Sequence, residues 1–185
     1  LKIRSKEQLQ EYVNKGKKIK YVFFWGHQEQ GGTVSKSCFS QWYESTFSEN
    51  GIEYMTAEHY MMAEKAKLFG DNETYQKIIK ATNPGEAKSL GRDVQGFDES
   101  KWGENRFQIV VSGNVLKFSQ NQKLREFLLN TSNRVLVEAS PVDKIWGIGL
   151  AVDNQKAENP NLWKGQNLLG FALMEVRDIL RESVA

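Results

Sequence analysis

Helix-start signals recur along this chain while strand-like runs are short and few, and that imbalance limits the folds open to it more than any other feature. Ser5 precedes Leu9, Tyr12 and Val13 at helical spacing, with Gly16 as a stop. Thr56 is placed to cap a helix running to Leu68, with Gly70 behind it, and another helix is expected over residues 71–81. Asn83-Pro84-Gly85-Glu86 combines a capping residue, a proline at the first helical position and a glutamate at the third. Further on, Phe107, Val110, Val111, Val115 and Phe118 mark one face of a long helix, and Leu124, Phe127 and Leu128 a shorter one. The last helix starts near Asn167, whose side chain is read as its cap, and carries Leu168, Leu169, Phe171, Met174, Val176 and Leu180. Against these stand a buried strand over residues 19–25, a possible short one over 52–55 and one over 134–138. The expectation is an α+β fold, a predominantly helical single domain with a small β-sheet.

With 185 residues, 39% of them hydrophobic, the chain is long enough to bury a core without disulfides or metals. Cys38 is its single cysteine and it has two histidines, which excludes an internal disulfide and argues against a zinc cluster. No metal or cofactor is implied. No apolar run approaches membrane-spanning length, so no membrane partner is expected and the cytoplasm is the simplest location. A formal net charge of +2 lacks the strong field of a dedicated duplex binder, although a local patch is open. Lys15, Lys17, Lys18 and Lys20 form such a cluster, best read as a solvated turn.

Several residues suit chemistry, each with a plainer alternative. Glu58, in the first turn of its helix, sits where unpaired amides favour a carboxylate, to orient a sugar hydroxyl or simply to stabilise the helix. His59 either hydrogen-bonds a ligand or is satisfied within the fold. Lys65 reaches the same mouth or extends into solvent. Asp143 and Trp146, beside Gly147 and Gly149, lie in the irregular connection over residues 141–160 and read as a ligand wall or as a turn aspartate and a packed ring. Gly147-Ile148-Gly149-Leu150-Ala151-Val152 lacks the last glycine of a dinucleotide fingerprint. Amides at Gly165, Gln166 and Asn167, helped by Lys164, either cradle a phosphate or form an ordinary helix start. Lys36 is a surface lysine or an amine for Schiff-base chemistry, and Cys38 has no evident histidine partner.

Taken in order, Phe23-Phe24-Trp25-Gly26-His27, Lys36 to Trp42, Thr56-Ala57-Glu58-His59-Tyr60, Val137-Glu138-Ala139-Ser140-Pro141, Asp143-Lys144-Ile145-Trp146-Gly147-Ile148-Gly149 and the run from Gly165 to Arg177 closely resemble the NADAR, or YbiA-like, family. The resemblance covers a domain over residues 21–182, behind an amino-terminal helix and basic turn over residues 1–20. It implies an α+β N-glycosidase cleaving a bond between a ribose carbon and the nitrogen of a base or amine. Glu58, Asp143, Trp102 and Trp146 match the family's active-site positions, and Lys36 matches a lysine found in part of it. The candidate catalytic set is therefore Glu58, Asp143 and Lys36, and the candidate substrate-binding set joins Trp102 and Trp146 to His59, Gly147, Gly149, Gly165 and Asn167, which the residue-level reading supplies. ADP-ribosylated guanine, in nucleic acid or as a nucleotide, is the leading substrate. Phosphorylated ribosylamino pyrimidines of riboflavin biosynthesis are the alternative, and a non-catalytic ADP-ribose reader is the contrasting class.

Overall fold

The computed structural model describes residues 2–183. The local start signals produce helices α1 (Lys6–Asn14), α2 (Ala57–Leu68), α3 (Asn72–Ile79), α4 (Pro84–Arg92), α5 (Glu99–Ser119), α6 (Gln122–Leu129) and α7 (Leu168–Glu182). The strands are β1 (Tyr21–Phe24), β2 (Phe47–Glu49), β3 (Ile52–Tyr54) and β4 (Val135–Glu138). The α+β expectation holds, with the strands paired as two small sheets, β1 parallel to β4 and β2 antiparallel to β3. Contacts divide the chain into one unit made of the residues up to Ser40 and those from Lys123 onward, and a second unit, Gln41–Gln122.

In the first unit Val135, Leu136 and Val137 of β4 are fully buried, as the apolar run of a parallel strand requires. Strand β1 departs from the buried strand expected there. Only Phe24 is buried, Tyr21 to Phe23 are half-exposed, and Trp25 is 65% exposed beyond the strand's end, because a two-stranded sheet leaves β1 with an open edge. The leading helix α1, capped by Ser5 through Gln8 N–H, is tied to the turn at Pro160, whose carbonyl accepts from Gln10 Nε2 at 3.1 Å.

Asn167 is not the cap that its position suggests. It adopts a left-handed conformation (φ 54°) and makes no side-chain bond to its own helix. Its Oδ1 accepts from Glu138 N–H and its Nδ2 donates to the Leu136 carbonyl, both at 2.9 Å. Strand β1 engages the alternate groups, since Val135 and Ala139 N–H donate to Lys20 and Phe24 carbonyls at 2.9 Å. One amide side chain thus stands in for a missing third strand. Helix α7 then lies so close to β4 that a Cβ at Gly170 would run into the Leu136 carbonyl. Further along α7, Arg177 donates through Nη1 to Thr131 Oγ1 (2.8 Å) and the Arg134 carbonyl (2.9 Å), and burial lowers its guanidinium to about 10.

The second unit is built on α2, buried at Ala57 to Ala63 and at Ala66, a helix enclosed on nearly every side. Asn50 and Gly51, both at positive φ, turn β2 into β3, and this hairpin supplies Phe47 and Tyr54 to a ring cluster with Tyr60. The Tyr60 ring rests on α5 at Gly113, where a Cβ would come within 2.5 Å of it. The buried face of α5 also differs from the stripe expected: Val110, Val111 and Phe118 are buried, Phe107 and Val115 only partly, and Asn114 and Lys117 fill the face instead. Asn114 Nδ2 donates there to Gln41 Oε1 and the Val110 carbonyl, and Lys117 Nζ lies 5.4 Å from the Tyr43 ring centroid. The Asn83 cap works as read, its Oδ1 accepting from Glu86 N–H at 2.8 Å while Glu86 Oε2 accepts from Thr82 N–H at 2.9 Å.

Candidate active site

Within the second unit, Thr56 in an extended conformation starts α2 and places Glu58 in its first turn, where aligned backbone dipoles favour a carboxylate. The Glu58 N–H donates to the Gln41 carbonyl at 2.9 Å. Gln41 is held in turn by Asn114, whose Nδ2 donates to Gln41 Oε1 (2.8 Å) and to the Val110 carbonyl (2.9 Å). The result is a carboxylate residue only 4% exposed on a backbone anchored to α5. Lys65 follows two helical turns later on the same face. Its Nζ lies 4.7 Å from the Phe97 ring centroid and 5.5 Å from that of Trp102. Burial, with Arg92 adding to it, lowers the Lys65 pKa, while Glu99 and Glu58 pull it the other way.

The structure therefore brings Glu58 and Trp102 together around a lysine that the implied site lacked. The Glu58-to-Lys65 spacing was the sequence signal for it; its burial was not visible. Trp102 is 8% exposed, whereas Phe97 is 44% exposed and packs edge-on to Phe69 at 5.4 Å. Phe97 is thus the ring most open to a ligand here, and nothing in its local sequence distinguished it. A carboxylate, an amine with reduced proton affinity and ring walls are the components needed to stabilise a sugar cation and handle a proton or a covalent bond.

His59 belongs to the fold rather than to a ligand. It is fully buried, with Nδ1 2.7 Å from Thr56 Oγ1 and Nε2 3.0 Å from the Ala81 carbonyl. The carbonyl only accepts, so Nε2 carries the proton and Nδ1 accepts from the threonine hydroxyl. Burial lowers the His59 pKa below its ordinary 6.5, against smaller opposing effects of the Ala81 carbonyl and Glu86. The unfolded chain therefore binds the extra proton first, and stability falls as pH drops below about 6.5 until folded His59 itself protonates. His59→Gln is expected to remove this contribution, at most about 1.4 kcal/mol per pH unit, from the difference between urea unfolding at pH 7.5 and 5.5. An unchanged pH slope would show that His59 does not titrate this way.

In the first unit, Asp143, Trp146, Gly147, Gly149, Gly165 and Asn167 form a second locus. Asp143 Oδ1 accepts from Ile145 N–H (2.9 Å) and Trp146 N–H (2.8 Å), while its own N–H donates to Ser140 Oγ at 3.1 Å. The aspartate shapes the turn that presents half-buried Trp146. The phosphate cradle expected at Gly165 to Asn167 is absent for a clear reason: those amides are already spent. Gly165 donates to the Ile148 carbonyl (2.8 Å), Gln166 to Lys144 (3.0 Å), Asn167 to Gly147 (3.1 Å), Leu168 to Ile145 (3.2 Å) and Leu169 to Trp146 (3.1 Å). Gly147, Gly149 and Gly165 are buried; a Cβ on Gly165 would strike the Gly147 carbonyl and one on Gly147 the Glu138 carbonyl, so these two permit close backbone approach, while Gly149 supplies a positive φ of 68°. Asn167, fully buried against β4, is likewise no ligand group. Lys36 is exposed at the start of the short 3-10 helix Lys36–Phe39, beside a groove that also involves Tyr21, Phe127 and Arg134.

The model of the NADAR domain matches residues 23–181. This chain belongs to the NADAR family. It is 47% identical over 164 residues to N-glycosidase R617 of Acanthamoeba polyphaga mimivirus, covering 86% of this chain and 95% of the relative. It is 32% identical to N-glycosidase YbiA of Escherichia coli (strain K12), covering 71% and 73% of the two chains. The NMR structure of the E. coli protein YbiA superposes with a TM-score of 0.69 and 26% identity, over 89% of this chain and 87% of that one. With these NADAR relatives the chain is an enzyme of the class that hydrolyses N-glycosyl compounds. No helix among the described residues is long and apolar enough to cross a membrane.

Proposed function

We propose that this NADAR chain hydrolyses the ribose-to-base bond of ADP-ribosylated guanine, as a nucleotide or within nucleic acid. The observation that carries an N-glycosidic reaction is the Glu58, Lys65 and Trp102 cluster, where a buried carboxylate residue acts electrostatically on a half-buried amine that lies over the Trp102 ring. Breaking the bond leaves positive charge on the anomeric carbon and requires a proton on the departing nitrogen. Glu58 is assigned to the sugar cation. Lys65 is the stronger nucleophile candidate than Lys36, because burial favours its neutral form. Its nitrogen bonds to the anomeric carbon as the base nitrogen leaves and takes up a proton. Opening of the sugar ring gives an imine, and water then releases the sugar and regenerates the amine. Asp143 and Trp146 are proposed to act in the same reaction.

Incubation with an ADP-ribosyl-guanine oligonucleotide and, separately, with a phosphorylated ribosylamino pyrimidine, monitoring free base and sugar, tests the substrate. Release from the first alone is expected. Release from the second alone overturns the substrate proposed, and binding of the first with no release from either favours a non-catalytic reader. Borohydride added during turnover is expected to trap the sugar on Lys65 and to leave no adduct in Lys65→Met. An adduct lost only in Lys36→Ala would move the role to Lys36, and active enzyme without any adduct would replace the covalent step by direct attack of water.

A further inference from the structure

Three depressions that share wall residues lie on the unit that holds β1 and β4. The first, about 490 Å³, lies among Tyr21, Phe23, Lys36, Phe127 and Arg134. The second, about 590 Å³, shares Tyr21, Phe23 and Arg134 and adds Lys17 and Lys20. The third, about 560 Å³, shares Lys20 and Arg134 and adds Tyr12 and Lys18. Shared walls make them one groove along β1 and the turn from α1, each part of the size that holds a small ligand.

Its walls combine basic and aromatic side chains. Lys17, Lys18, Lys20, Lys36 and Arg134 are exposed, and none has a carboxylate within ion-pair distance among the described residues. Glu158 is the acid in the middle part, and the whole chain carries only +2, so positive charge is concentrated here. Tyr21 and Phe23 stand on one face of β1, half-exposed, with ring centroids 5.6 Å apart and a tilt of 33°. Lys17 Nζ sits 5.5 Å from the Tyr12 ring centroid.

We infer that this groove binds single-stranded nucleic acid, with phosphates against the lysines and Arg134 and bases on the Tyr21 and Phe23 rings. Cations alone would suit any polyanion. Aromatic rings lining the same groove select one with unstacked bases, which a duplex withholds and an anionic lipid surface lacks. The inference goes beyond the base-cleaving reading and stands without it, because an unmodified strand is a sufficient ligand.

The test is fluorescence anisotropy of the full chain with an unmodified, labelled 12-nucleotide single strand, its duplex, and vesicles containing phosphatidylserine. Preferential binding of the single strand is expected, with log affinity falling against log salt at a slope of about −3.5 for these five cations. Lys17→Glu/Lys18→Glu/Lys20→Glu, with its thermal melt checked, is expected to lose at least about tenfold in affinity and to flatten the slope by about 2. Tyr21→Ala is expected to lose about tenfold with the slope unchanged, the signature of stacking. No binding by the wild-type chain at low salt overturns the inference whatever the variants do. Equal binding of single strand, duplex and vesicles, insensitive to Tyr21→Ala, overturns it in favour of a general anionic surface.

Discussion

Glu58→Gln is expected to lower kcat by about 10²–10⁴-fold while leaving KM within a few-fold and the thermal melt intact. The substitution keeps the size of the side chain and the N–H bond from residue 58 to the Gln41 carbonyl, so the backbone anchor survives. It removes the negative charge, which is needed only once positive charge develops on the sugar, and such an interaction appears in kcat rather than in ground-state binding. Steady-state release of base measures it. A loss below about threefold would remove Glu58 from the chemistry, given what a positioned carboxylate normally contributes. Combining this change with Asp143→Asn asks whether the two serve one bond. If they do, the double variant loses far less than the product of the single losses, and independent multiplication would separate their roles.

Asn167→Leu is expected to destabilise the folded chain by about 3–5 kcal/mol, from two stranded backbone groups and a left-handed conformation that leucine adopts poorly. Glu138 N–H and the Leu136 carbonyl lie at the covered edge of β4, and no water replaces the lost amide there without rearrangement. Set against a total stability of about 5–15 kcal/mol, this is a severe change. Asn167→Asp is the sharper version: it preserves acceptance from Glu138 N–H but sets an oxygen against the Leu136 carbonyl. Urea unfolding monitored by circular dichroism measures both. A shift under about 1 kcal/mol in each would mean that the amide is not the edge partner of β4.

Much of the secondary structure was legible because its causes lie within a few residues. Ser5, Thr56 and Asn83 each bond an amide three positions ahead, and Asp71 does the same for Thr74. Strand β2 follows from a local signal that spacing alone does not rank: Asn50-Gly51 favours a hairpin turn, and it pairs the three residues before it with Ile52–Tyr54. The buried face of α5 departs from its apolar stripe because spacing ranks apolar residues only, whereas Asn114 and Lys117 are buried by partners on other segments. Glu58 and Trp102 came from the family resemblance; Lys65 shares a helix face with Glu58 by spacing, and its approach to Trp102 came from packing. The difference matters most for Lys65, since identical local sequence would accompany a lysine in water.

Sequence alone determined the helical starts, the family and the hydrolase class, since capping is local and the motif order is carried by residue identity. The tertiary structure decided which polar groups remain for chemistry. Asn167 looks like a helix cap until β4, some thirty positions earlier, claims both ends of its amide, and the amides behind it look like an anion site until the carbonyls from Lys144 to Ile148 accept them. A hydrogen-bonding group satisfied inside the fold is lost to a ligand, and only the path of the distant chain reveals which groups are taken.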